Sequence, residues 1–246
     1  MARRLATTST RTVATIDGSA VRINNLAQFY YDARPLDPAG TREGGNADLT
    51  GFRLWESAPR LIRYLDQNRR LVQCRTVLEL GAGTGAVGLA AATMGAKRVV
   101  LSDADSTATL DGADGWEERS RLASLADNVA LNRIESVVSV AALRWGEEAH
   151  ISALSSRWAA GFDTIVASDC LYSPRMYDAL FTTIATLAAA EDAAIVLAYP
   201  MRHGDEAAFI ERLRRDAGFE LVDSRAVDGD GDEALRVAEL SRRTSG

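Results

Sequence analysis

From residue 71 onward, short β-branched apolar runs alternate with longer stretches whose apolar positions recur every three or four residues. The short runs predict strands at 76–80, 98–102, 137–142, 163–167, 194–198, 219–222 and 235–240. Helical spacing predicts helices containing 87–94, 122–131 and 176–189, and another at 205–216 that stops at Gly218. Strands alternating with helices form right-handed βαβ units around a mostly parallel sheet. The last two strands break this rhythm. Asp228-Gly229-Asp230-Gly231-Asp232 joins them with no room for a helix, so a hairpin at the sheet's edge brings in one antiparallel strand. The expected fold is α/β, a doubly wound seven-stranded sheet, mostly parallel with one antiparallel strand.

Ahead of this sheet, residues 13–23 alternate around Asp17-Gly18 and predict an N-terminal β-hairpin extension. Residues 32–50, with Pro35, Pro38, Gly40, Gly44 and Gly45, read as a loop without a core. Ser57 reads as a helix N-cap with Pro59 in the first turn, and Leu61 and Leu65 form the inner stripe. The polar segment 105–121, with Gly112, Gly115 and Trp116, reads as a surface insertion. The chain divides into an extension over 1–50 and one domain over 51–246.

Composition narrows the chemistry. Twenty-eight basic against 34 acidic residues give a net charge of −6, against a broad nucleic-acid footprint. Two cysteines, Cys74 and Cys170, sit in or beside apolar runs and read as buried thiols in a reducing compartment. His150 and His203 have no metal-ligand spacing to either cysteine, so no metal site is expected. No run approaches the ~20 apolar residues of a membrane span. The first sixteen residues carry Arg3, Arg4 and Arg11 and no acid, as mitochondrial transit segments do, but the hairpin pattern overlaps them. A cytoplasmic or nuclear monomer is the expectation.

The most informative stretch runs from Val77 to Asp105. A buried strand enters Gly81-Ala82-Gly83-Thr84-Gly85 and passes directly into a helix, and a second strand ends at Asp103. Glycine lets the backbone turn tightly and approach a ligand, and a carboxylate at that second strand end accepts both hydroxyls of an adenosine ribose. Gly81, Gly83 and Ala86 also satisfy a dinucleotide fingerprint. Electrostatics separates the two ligands. Glu79 and Asp169 would face a dinucleotide's diphosphate at about 4 kcal/mol per like-charged pair at ~4 Å. The sulfonium and ammonium of S-adenosylmethionine suit an acid-rich rim.

The segments Leu78 to Gly85, Ser102-Asp103-Ala104-Asp105, Leu143-Arg144-Trp145-Gly146 and Ser168 to Tyr172 together resemble class I seven-strand methyltransferases. Within these, Asp169-Cys170-Leu171-Tyr172 and the block Gly51 to Ala58 around Trp55 are most similar to the methyltransferase-like protein-lysine N-methyltransferases, also described as nicotinamide N-methyltransferase-like. The likeness spans roughly residues 50–222 and includes Asn128 and Asn132. The loop 32–50 and the insertion 105–121 depart from the pattern.

The resemblance implies S-adenosyl-L-methionine as cofactor. It places Gly81, Ala82 and Gly83 around its methionine end, Glu79 near its ammonium and Asp103 on its ribose. It sets Trp145 against adenine, Trp55 over the cofactor and Ser168 in the pocket wall. Asp169 and Tyr172 become the catalytic pair, one orienting a lysine amine and the other walling its channel. Asp169 could also help a water take the proton. Plainer roles stay open: Trp55 could cap a helix, Trp145 could pack a strand end and Asp169 could cap the helix after it. Asn128 and Asn132 read as hydrogen-bonding residues rather than ligands, and Tyr199 and His203 are outer candidates for substrate contact. A protein substrate methylated on lysine is the leading expectation. Small-molecule N-methylation and a non-catalytic cofactor-binding module are the alternatives.

Overall fold

The computed structural model describes residues 10–24, 50–112, 115–202, 204–227 and 235–242. Strand β3 (Thr76–Leu80) is the sheet's pivot, buried from its second residue onward. It pairs in parallel with β4 (Arg98–Asp103) on one side and β8 (Thr164–Ser168) on the other. Beyond them lie β7 (Val138–Ala142), β9 (Ala194–Pro200), β10 (Phe219–Val227) and β11 (Leu235–Arg242), in the order β10-β11-β9-β8-β3-β4-β7. Strand β11 runs antiparallel to both β9 and β10, so the predicted antiparallel strand lies one position inside the edge. The joining loop 228–234 lies outside the described residues.

Side-chain alternation divides the sheet's two faces. Val77, Val99, Leu101, Val166 and Val196 point into one core with α1 (Ser57–Gln67), α2 (Ala86–Thr93) and α3 (Arg121–Asn132). Leu78, Leu80, Val100, Ile165 and Ile195 point into the other with α4 (Glu148–Arg157), α5 (Tyr177–Leu187) and α6 (Glu206–Asp216). Helix α4 was not anticipated. It buries only Ile151 and Leu154, a pair too narrow to register as a periodic stripe.

Helix α2 is apolar all round, with every residue from Ala86 to Ala91 buried, so its outer side needs a cover. The predicted hairpin supplies it. Strands β1 (Thr10–Ile16) and β2 (Ser19–Asn24) turn at Asp17 and Gly18, both with positive φ, and bury Val21 and Ile23 completely. Asn128 and Asn132 on α3 fasten it. The Oδ1 of Asn132 accepts from Arg22 N at 2.8 Å and that of Asn128 from Asn24 N at 2.7 Å. The Asn128 amide also donates to Thr84 O at 2.9 Å, so one side chain joins hairpin and glycine loop.

Two expectations need correction, and a third gains detail. Cys74 is exposed, because the apolar run ends with buried Leu71 and Val72 and the chain turns outward at Cys74 with φ +60°. The segment 105–121, expected as an insertion, has regular structure of its own. It forms a second hairpin, β5 (Thr107–Gly112) and β6 (Gly115–Ser120), and delivers a buried Arg121 to the interior. Ser57 is the first helical residue rather than the cap, and its hydroxyl serves another residue described below. The loop expected over 32–50 falls outside the described residues up to 49.

Candidate functional site

The strand register aligns the carboxyl ends of β3, β4 and β8, with Leu80 opposite Ser102 on one side and Ala167 on the other. Chain connections leave β3 in opposite directions here, and a crevice opens at such a switch point. It holds a cavity of ≈ 480 Å³, inside the ~300–1,000 Å³ range of small-molecule sites. All ten residues singled out from the sequence line it: Trp55, Glu79, Gly81, Ala82, Gly83, Asp103, Trp145, Ser168, Asp169 and Tyr172.

The floor is the turn from β3 into α2. Gly81 has φ +58°, and a Cβ there would lie 2.9 Å from Cys170 Sγ and 3.0 Å from Trp145 Cζ2. Gly83 has φ +54° and donates its N–H to Asp103 Oδ2 at 2.8 Å. Glu79 sits beneath this turn, 1% exposed, and its Oε2 accepts from Gly88 N at 2.7 Å in the first turn of α2. Burial pushes its carboxyl up to about 8, although the Gly88 hydrogen bond opposes the shift and the nearby Asp103 charge adds to it.

Asp103 closes one end of the cavity. Its Oδ1 takes Ala104 N at 2.7 Å and lies 3.3 Å from Arg121 Nη1, both side chains being about nine-tenths buried. Arg121 also lies against Gly51, where a Cβ would sit 2.6 Å from its Nε. Beside it, Ser106 Oγ is buried in the cavity wall without a protein hydrogen-bond partner. A carboxylate with three of its roughly four acceptor sites filled, next to an unsatisfied hydroxyl, offers one group to each of the two ribose hydroxyls of an adenosine. Trp55 forms part of the N-terminal wall, held by Nε1 donating to Thr50 O at 3.0 Å with the Arg53 guanidinium 4.8 Å from its ring centroid.

Asp169 closes the other end, in the left-handed region with φ +59°, a strain that functional sites concentrate. Its Oδ1 is ion-paired with Arg202 Nη1 at 2.7 Å and its Oδ2 accepts from Ser57 Oγ at 3.2 Å. Arg202 is itself held, because its backbone N–H donates at 2.9 Å to Oε1 of Glu206, a fully buried residue at the start of α6. Tyr172 stands at the mouth, 52% exposed, its ring 6.3 Å from that of half-buried Trp145. The Cys170 thiol donates to Leu80 O, and burial with three neighbouring carboxylates raises it well above the ordinary thiol range, so it is a filler rather than a nucleophile.

Sequence reasoning did not single out Ser57, Ser106, Arg121 and Arg202 as site residues. Arg121 carried one signal, a cation in the first turn of a helix where the dipole disfavours it. Tyr199 does not reach the cavity. It is 3% exposed in the core on the far face of the sheet, where burial raises its hydroxyl above the ordinary range. His203 lies outside the described residues. Among the described residues no group of three or more His, Cys, Asp or Glu could hold a metal ion.

Comparison with known proteins adds ancestry to this geometry. A protein N-terminal and lysine N-methyltransferase, EFM7 of Candida glabrata, is 29% identical over 161 residues, covering 64% of this chain and 58% of that protein. A protein N-lysine methyltransferase, METTL21A of Danio rerio, is 27% identical over 162 residues, covering 66% of each. The chain therefore spans about three-fifths to two-thirds of the length of these curated relatives. Among solved structures, a ribosomal protein L11 methylase from Lactobacillus delbrueckii subsp. bulgaricus superposes with a TM-score of 0.52 at 18% identity, over 76% of this chain and 78% of that one, a likeness of fold. The family model described as lysine methyltransferase matches residues 41–216, from before the Trp55 block to the end of α6 and so across every wall of the cavity; the chain belongs to the lysine methyltransferase family.

Proposed function

We propose that the protein is an S-adenosylmethionine-dependent methyltransferase that acts on lysine side chains of a protein substrate. The observation that carries this reading is one cavity with two unlike ends. Asp103 lines it from the end of β4 and Asp169 from just past β8, with the glycine turn between them and a solvent-exposed Tyr172 on the Asp169 side. A long side chain from another molecule can enter past Tyr172 and Trp145 while the cofactor lies behind. Its relatives' names point to the same activity.

When bound, S-adenosylmethionine supplies an electrophilic methyl group on a sulfonium. The chain's work is positioning and desolvation. In this reading Gly81, Ala82 and Gly83 wrap the methionine end and Asp103 and Ser106 hold the ribose. Trp145 covers adenine, Trp55 closes over it, and Ser168 lines the wall. Neutralising a lysine of ordinary pKa at pH 7 costs about 4.6 kcal/mol. The aromatic wall of Tyr172 lowers that cost by excluding water, and Asp169 accepts one amine N–H so that the lone pair faces the methyl. The reading takes the protein as a monomer in the cytoplasm or nucleus.

The test is incubation with methyl-labelled S-adenosylmethionine and lysate of the source cells, beside Asp169→Ala. Label in discrete protein bands, lost in the variant, supports the reading. Label confined to small molecules or RNA contradicts the substrate class.

A further inference from the structure

Asp169 has a partner that its proposed task does not require. An unpaired carboxylate would seize a lysine as its ammonium, and an ammonium has no lone pair with which to attack. Arg202 Nη1 instead sits 2.7 Å from Asp169 Oδ1, in a place where the Asp169 side chain is only 8% exposed. The buried Glu206 anchors the Arg202 backbone, so the cation is built into the site from behind.

The other charges around the cavity do not undo this arrangement. Asp103 is paired with Arg121, and Glu79 and Cys170 are kept protonated at neutral pH chiefly by burial. Arg53 lines the N-terminal side, Arg144 beside Trp145 is paired with Glu147 at 3.5 Å, and Tyr172 lines the mouth. The cation in direct contact with Asp169 is therefore Arg202, with the buried Glu206 carboxylate behind it on the Arg202 backbone.

We propose, building on the lysine-methylation reading, that Arg202 is a positioning residue that keeps the incoming amine neutral. By cancelling the charge of Asp169 it turns that carboxylate into an acceptor that orients the amine without holding an ammonium. A nearby cation is a general means of activating an amine nucleophile. The amine sheds its proton to solvent on entry. Its lone pair then forms the N–C bond as the S–C bond breaks, with the S–C electrons returning to sulfur, and the product leaves as a methylammonium.

The experiment uses the protein that wild type labels in lysate, purified, with S-adenosylmethionine and buffers from about pH 6.5 to 10. Arg202→Gln and Arg202→Lys are compared with wild type, and S-adenosylhomocysteine binding reports that each variant keeps its cavity. For Arg202→Gln, kcat should fall about tenfold or more near pH 7.5 with KM no higher. The acid limb should move up by at least about one pH unit, and the rates should converge near pH 10. Arg202→Lys should track wild type in the limb's position. A loss by the same factor at every pH, an unshifted profile, or a lysine variant as defective as the glutamine one overturns the role given to Arg202 and leaves the lysine reading standing. Failure of wild type to label any protein lysine overturns both.

Discussion

Alanine at Gly81 should weaken cofactor binding as well as the fold, and Gly18 provides the internal control for the cost to the fold alone. Both glycines are in the left-handed region, with φ +58° and +80°. An L side chain there costs about 1–2 kcal/mol, offset by about 0.4–1 kcal/mol from restricting the unfolded chain. Gly18→Ala meets nothing within 4 Å, so its net loss should be near 1 kcal/mol, or about 2–4 °C in Tm for a domain of this size. Gly81→Ala adds contacts at 2.9 Å to Cys170 Sγ and 3.0 Å to Trp145 Cζ2, so the turn or the indole must move, at a further cost of about 1–3 kcal/mol. Both groups line the cavity. Titration calorimetry with S-adenosylhomocysteine should show Gly18→Ala binding like wild type and Gly81→Ala at least about tenfold weaker, a loss of 1.4 kcal/mol. Equal affinities for the two variants, both folded, would refute the placement of the cofactor against this turn.

Other consequences follow from the same geometry. Because the Glu79 carboxyl is pushed up to about 8 by burial, the folded chain holds a proton there that the unfolded chain gives up near pH 4.3. Stability from this group is thus fully present below about pH 4.3 and is lost as pH rises through about 8, on the order of 5 kcal/mol in total, and Glu79→Gln should flatten that slope in Tm measured against pH. Asp103→Ala leaves Arg121 buried without its carboxylate and should cost about 3–5 kcal/mol, part of which the double variant with Arg121→Met recovers in a denaturation cycle. Asn128→Ala strips a partner from Asn24 N and from Thr84 O. It should cost about 1–3 kcal/mol and speed amide exchange at Asn24. Tyr172→Ala, at a half-exposed position, should leave Tm within about 2 °C of wild type while methyl transfer falls.

How much of this was legible follows from what each feature depends on. The strands were readable because a sheet covered on both faces demands uninterrupted apolar runs, and the glycine turn because its backbone admits few residues. Nine of the ten predicted site residues converge on one cavity because they lie at or shortly after strand ends, where the topology alone decides proximity, and Trp55 joins them from just ahead of α1. Ser57, Arg121 and Arg202 lie 112, 18 and 33 residues from the carboxylates they touch, and no local pattern announces such pairings. Helix α4 escaped notice because two buried positions make no periodicity. Cys74 misled because an apolar neighbourhood in sequence ended one turn before the cysteine did.

The most direct measurement is the chemical identity of the methylated residue. Protein labelled by wild type from methyl-labelled S-adenosylmethionine would be digested and its label assigned by mass spectrometry, in parallel with Asp169→Asn. The account predicts methyl-lysine from wild type and little or none from the variant, with S-adenosylhomocysteine binding retained in both. Label on another residue type, or methyl-lysine formed equally well without the Asp169 carboxylate, would contradict it.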